Sequence, residues 1–143
     1  MSDVQSQTKR IEIRDPSDPA YMCVVRQFTT AVATLAGFSP EDAHRVTLAV
    51  DEACTNVIKH AYRCDYTRQM ILGFELLPDR LQLTLRDFGI KCEPANIKGR
   101  NLDDVKPGGL GVHIIREVMD SVEYDTHHAH GTELRMTKSL KRT

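Results

Sequence analysis

Asp51-Glu52-Ala53-Cys54-Thr55-Asn56-Val57-Ile58-Lys59-His60-Ala61-Tyr62 reads as an amphipathic helix that carries two chemical groups one turn apart. At about 100° per residue, Val46, Ala49, Val50, Ala53, Val57 and Ala61 form an apolar stripe. Glu52 and Asn56 are spaced i, i+4 and lie together along one flank of that stripe. A flank position is half-buried, which is where a helix presents polar groups to a cleft. A carboxylate there accepts a proton, and an amide oxygen is a hard ligand suited to Mg²⁺. Taken alone, the pair reads more simply as a solvated helix surface. Cys54 falls on the polar side of this helix and has no assigned role. His60, near the apolar face, is read as a satisfied half-buried histidine rather than a base.

Outward from this helix, Ser39-Pro40-Glu41-Asp42 supplies a cap, a proline and acids near the positive end of the dipole. The helix they open ends near Arg63. Before it, Ser17 or Asp18 caps a helix with Pro19 in its first turn, running from about Ala20 to Leu35. Val24, Val25, Phe28, Val32 and Leu35 make its predicted face, and Gly37 follows its end. Residues Arg10 to Arg14 alternate and suggest an edge strand, broken by Asp15-Pro16. Met70–Leu77 and Leu81–Asp87 flank Pro78-Asp79-Arg80 at hairpin spacing. Phe88 to Pro107 is polar with little periodicity, the character of a functional lid or a disordered segment. Gly108-Gly109-Leu110-Gly111 then opens a helix, Val112 to Asp120. Ser121–Thr126 and Thr132–Thr137 are two further strands joined by a turn ending at Gly131, and a basic tail from Lys138 to Thr143 is expected to fray. The order β-α-α-β-β-α-β-β, with strands in hairpin pairs, predicts an α+β fold: a two-layer sandwich of one mainly antiparallel sheet with helices on one face.

With 143 residues the chain has the size of a single domain, with an ordered core over about 10–138. Acids and bases are interspersed at a net charge of −1, and no basic tract appears, so nucleic-acid binding is not expected. The polar N-terminus has no apolar h-region and no run approaches a membrane span. The four cysteines, Cys23, Cys54, Cys64 and Cys92, form no C-x-x-C pair. Together these features predict a cytoplasmic protein with reduced thiols and no membrane partner.

Three further motifs carry chemistry. Asp87 ends a strand with Gly89 two residues on. Such a carboxylate can accept from an exocyclic amine while the glycine lets a flat ring approach, though Asp-x-Gly is also an ordinary turn. Gly108-Gly109-Leu110-Gly111 offers free N–H groups at a helix start, an anion site or equally a hinge. It lacks the Gly-Lys-Ser/Thr of a P-loop and the third glycine of a dinucleotide fingerprint. Thr132, after Gly131, is a pocket hydroxyl or plain strand-start polarity. His127, His128 and His130 share a turn, but no Cys or carboxylate completes a plausible ligand set, so they are read as solvated and metal-free.

Taken in order, these motifs resemble those of the anti-sigma factor serine kinases, small bacterial members of the GHKL ATPase superfamily with the Bergerat fold. Glu52-x-x-x-Asn56 with His60 resembles the N box, Asp87-Phe88-Gly89 the G1 box, Gly109-Leu110-Gly111 the G2 region, and Gly131-Thr132 the terminal motif. The resemblance extends from about Ile11 to Lys138. It implies ATP and Mg²⁺ as cofactors, with Asn56 ligating the metal and Glu52 acting as general base on a partner's seryl hydroxyl. Asp87 would accept from the adenine amino group, with Gly89 beside the ring and Thr132 completing the contact. Gly109 and Gly111 would donate backbone N–H groups to phosphates. One position departs from the pattern: Lys91 stands where the G1 box usually has a second glycine. Lys91, Lys98, Arg100 and Lys106 are all candidates to reach a phosphate.

The implied function is an ATP-dependent protein-serine kinase acting as an anti-sigma factor. It would phosphorylate a STAS-domain anti-anti-sigma protein and, in its other state, sequester a sigma factor. Three alternatives stay open: a nucleotide-dependent binding module without transfer, a plain interaction domain with a vestigial pocket, and a kinase that activates a stress-signalling complex. Family members often form a homodimer through the sheet, and the N-terminal strand is the edge at which that is expected here.

Overall fold

The computed structural model describes residues 9–91 and 109–140. Strand β1 (Lys9–Pro16) is an edge strand paired antiparallel with β2 (Gln69–Leu76). It runs two residues past the expected break, because Asp15 and Pro16 still pair with Met70 and Gln69. Proline is tolerated there because an edge strand leaves half its N–H groups without ladder partners. Asp18 then accepts from the Ala20 N–H at 2.9 Å, and Pro19–Tyr21 forms a single 3₁₀ turn leading into α1 (Met22–Ala36). Gly37 closes α1 with a left-handed φ of 109°.

Val25, Phe28 and Val32 face the core as predicted, but the rest of the α1 face differs. Val24 and Leu35 are 52% and 71% exposed, and the buried residues are Met22, Val25, Thr29, Val32 and Ala33. Thr29 satisfies its hydroxyl on the Val25 carbonyl at 2.7 Å, so a small polar residue can enter the interface without an unpaired group. Helix α1 packs along the next helix, and Thr30 meets Thr47 across that contact at 2.7 Å.

Helix α2 (Pro40–Asn56) begins where its cap signal stands: the Ser39 hydroxyl accepts from the Asp42 N–H at 3.2 Å. It runs on through a π-type turn (Val57–Ala61), in which the Tyr62 N–H donates to the Val57 carbonyl at 3.0 Å. Arg63 and Cys64 then take left-handed φ values of 49° and 62°, ending the helix. The predicted stripe is the buried one from Val46 to Val57. Two expectations on this helix are corrected. Cys54 is fully buried rather than on the polar side, because residues 53 and 54 both turn inward between the layers. His60 is exposed rather than half-buried, since the extra residue of the π turn shifts the register of the last turn.

Strands β2 and β3 (Arg80–Arg86) form the expected hairpin. Helix α3 (Gly109–Val118) packs along α2, and β4 (Ser121–Asp125) and β5 (Glu133–Ser139) complete the sheet. The strand order is β1-β2-β3-β5-β4, with every neighbouring pair antiparallel. Cross-strand partners Leu72–Leu85–Leu134 and Phe74–Leu83–Met136 point to the helices, and all six are buried. Each such side chain contributes about 1.5–3 kcal/mol of burial free energy. Arg10, Glu12, Glu75 and Thr84 line the opposite, polar face, so the helices cover one face only. Strand β5 extends into the segment expected to fray. Lys138 is buried, with its ammonium donating to the Val118 carbonyl at 3.0 Å, and the Leu140 N–H donates to the Asp79 carbonyl. Residues 141–143 lie outside the described residues. Among the described residues, no helix is long and apolar enough to cross a membrane.

Candidate functional site

Asn56 ends the regular part of α2, and Glu52 lies one turn before it; both are half-buried, as flank positions of an amphipathic helix should be. The Asn56 Oδ1 atom is buried and has no hydrogen-bond partner among the described residues. An amide oxygen left in that state costs about 1–3 kcal/mol unless a ligand satisfies it. It therefore fits an oxygen-seeking cation such as Mg²⁺, which takes one or two protein oxygens and keeps the rest of its shell for water and phosphate.

The π turn after Asn56 is where the Asp87 turn docks. Asp87 follows the last residue of β3 and is 4% exposed. Its Oδ1 accepts the Gly89 N–H at 3.0 Å, closing a tight local turn. Burial raises the Asp87 pKa, opposed by the hydrogen bond from Gly89 and by nearby Arg86. The Ile90 N–H donates to the Ala61 carbonyl at 2.9 Å, and the Phe88 N–H donates to the Tyr62 hydroxyl at 2.8 Å. Gly89 lies directly over Ala61, with no room for a side chain. Thr132 is buried on the other side, where its carbonyl accepts the Asp87 N–H at 3.0 Å. Gly131, at φ 74°, packs its α-carbon against the Asp87 carbonyl.

The structure thus brings Asp87 and Gly89 against the turn that immediately follows Asn56, with Thr132 joined to Asp87 from the other side. Gly109 and Gly111 lie in the first turn of α3, because the helix starts at Gly109 rather than at the predicted Val112. The backbone amides of a first turn have no intrahelical acceptor, so glycine is accommodated there without loss of a donor. Gly108 lies outside the described residues, as do Cys92, Lys98, Arg100, Lys106 and most of the predicted lid. Lys91 is exposed.

The histidine turn requires a correction. Carboxylates do approach it: Asp125, His128 and Glu133 bring ligand-type atoms within 4.8 Å of one another. Asp125 and Glu133 are direct cross-strand partners, a long-range proximity invisible in the local sequence. Arg135 already serves as a cation for this group, 2.8 Å from Glu133 and 3.8 Å from Asp125. Sequence reasoning missed Tyr62 and Arg86, whose contacts are with backbone atoms of the Asp87 turn and leave no spacing pattern.

A family model described as "Histidine kinase-like ATPase domain" matches residues 16–138. The serine-protein kinase RsbW of Bacillus licheniformis is 31% identical over 140 residues, covering 92% of this chain and 86% of that protein. The serine-protein kinase RsbW of Bacillus thuringiensis subsp. konkukian is 29% identical over 142 residues, covering 94% and 87%. Among solved structures, the RsbU and RsbW domains of Rv1364c from Mycobacterium tuberculosis match with a TM-score of 0.67 at 15% identity. That match covers 96% of this chain and 33% of the other, and it shows a shared fold.

Proposed function

Because the chain belongs to the histidine kinase-like ATPase family, among the anti-sigma factor serine kinases, we propose that it transfers the γ-phosphoryl group of ATP to a seryl hydroxyl of a STAS-domain anti-anti-sigma protein, and that it holds a sigma factor in its other state. The observation that carries this reading is the orphaned, buried Asn56 Oδ1 one turn from Glu52. The similarity to chains named serine-protein kinase supports the reaction class.

In this reading Asp87 receives the adenine amino group, with Gly89 beside the ring and Thr132 at its edge. The burial that raises the Asp87 pKa also excludes water, which strengthens a single directed hydrogen bond. Gly109 and Gly111 donate first-turn amides to phosphate oxygens. Asn56 would hold Mg²⁺, which would supply charge neutralisation on the phosphate oxygens. Glu52 takes the proton from the seryl hydroxyl as its oxygen bonds to the γ-phosphorus, and the bond to the β,γ-bridging oxygen breaks to release ADP. Little covalent work is asked of the protein, because positioning and charge stabilisation carry phosphoryl transfer.

Calorimetric titration with ATP, in magnesium and then in excess EDTA, tests the site. Binding that needs the metal supports it. Absence of heat and of any thermal shift in folded protein would leave a plain interaction domain, since a ligand selective for the native state must raise its stability. The exposed Lys91, at a position where the family pattern has glycine, favours a second reading: a nucleotide-dependent switch without transfer. Normal ATP affinity with no phosphate appearing on a cognate STAS-domain protein would select it.

A further inference from the structure

Arg86 is the last residue of β3, and strand alternation sends its side chain to the sheet face opposite the helices, behind Asp87. Its guanidinium donates to three carbonyls: that of Asp87, that of Thr132 at 3.3 Å and that of His130 at 2.8 Å. The same group stacks over the Phe88 ring, 4.4 Å from its centroid. One planar fork therefore ties the turn that carries Asp87 to the turn that carries Thr132. Few side chains other than arginine could do this, because only its fixed set of five N–H donors reaches several carbonyls from one plane.

From the helix side the same turn is held by Tyr62. Its hydroxyl accepts the Phe88 N–H at 2.8 Å and donates to the Gln69 carbonyl at 2.6 Å. Arg68 completes this grip by donating to the Phe88 carbonyl at 3.1 Å while lying 4.8 Å from the Tyr62 ring centroid. The Asp87-Phe88 backbone is thus fastened from both sides of the sheet.

We propose that Arg86, backed by Tyr62, is the positioning residue that sets base selectivity, by fixing the Asp87 carboxylate and Thr132 at one separation so that the site accepts from an adenine amino group and rejects a guanine carbonyl. This rests on the assignment of Asp87 to the adenine. A carboxylate free to shift by a fraction of an ångström could turn toward the ring N–H and amino group of guanine. Held in place, it meets the guanine carbonyl oxygen with an acceptor of its own. Selectivity then comes from the unpaired acceptor that the wrong base would leave.

The test is calorimetric titration of the full chain with MgATP and with MgGTP, giving the ratio of the two dissociation constants. Arg86→Met is expected to lower the preference for ATP about tenfold, the equivalent of roughly one well-made hydrogen bond. Arg86→Lys keeps the charge but not the fork, and is expected to stay close to Arg86→Met. In an Asp87→Asn background the Arg86→Met change is expected to vanish, since its effect runs through that carboxylate. Tyr62→Phe gives the same direction with a smaller change and carries the test if Arg86→Met fails to fold. An unchanged ratio in Arg86→Met or Tyr62→Phe overturns the proposal, even where the melting temperature falls. Full rescue by Arg86→Lys also overturns it, because charge alone would then suffice. An unmodified chain that binds no ATP overturns instead the underlying assignment of the site.

Discussion

Gly89 sits so close to the Ala61 carbonyl that a Cβ at position 89 would stand less than 3.0 Å from that oxygen and from the Tyr62 ring. The carbonyl is not free to retreat, because it accepts the Ile90 N–H at 2.9 Å. Gly89→Ala must therefore push the Asp87 turn off the end of α2. We expect a loss of about 2 kcal/mol of stability in urea unfolding, at the upper side of ordinary single substitutions. ATP affinity should fall further than this loss of stability explains, because Asp87 moves with the turn. Native-like stability and affinity in Gly89→Ala would mean that the contact is looser than the structure has it.

Glu52 and Asn56 share a helix face but are assigned separable tasks, so their variants should fail differently. Glu52→Ala removes the proton acceptor and should reduce phosphate transfer about 10²–10⁴-fold, with MgATP affinity retained. Asn56→Ala removes the buried Oδ1 and should weaken ATP binding in magnesium toward the level the unmodified chain shows in EDTA. Paired calorimetry and transfer assays separate the two. Transfer that survives in Glu52→Ala removes Glu52 from the role of base.

The local signals in this chain are legible because each acts within a few residues. Ser39 and Pro40 start α2, Asp18 and Pro19 start the turn into α1, and the Leu81–Leu83–Leu85 alternation marks β3. The face of α1 is not legible in the same way. Thr29 is buried and Val24 exposed, because the Thr29 hydroxyl is satisfied within its own helix and tertiary packing, not apolarity alone, sets the buried face. In the site, the Glu52–Asn56 spacing is a property of one helix and can be seen. The Phe88 to Tyr62 bond joins residues 26 apart, and Asp125 meets Glu133 only through strand register, so neither leaves a local trace.

Cys54 illustrates a chemical consequence of such a hidden choice. It is fully buried between sheet and helices, and burial, with Asp15 and Asp51 nearby, raises its thiol pKa well above 9.0. The thiolate that reacts with electrophiles is therefore suppressed in the folded chain. Iodoacetamide at pH 8 followed by peptide mass spectrometry should modify the exposed Cys23 and Cys64 and spare Cys54 until denaturant is added. Rapid modification of Cys54 in native protein would contradict the packing of α2 on the sheet.

Asp15 offers the clearest link between this packing and pH. It is 5% exposed at the end of β1, and neither carboxyl oxygen makes a well-formed hydrogen bond to another of the described residues. Burial raises its pKa from 3.8 to about 6, with the pull of its own backbone N–H acting the other way. Between those two values the folded state binds the proton more tightly than the unfolded state, so stability falls as pH rises through the window. Above about pH 6 the full penalty is present, on the order of 3 kcal/mol for a shift of this size. Asp15→Asn keeps the shape without the charge. Its stability relative to the unmodified chain should therefore rise between pH 4 and pH 7.5 by up to that amount, measured by urea unfolding at each pH. A difference that stays constant across the range would show that Asp15 ionises at its ordinary value, with its carboxylate reached by water.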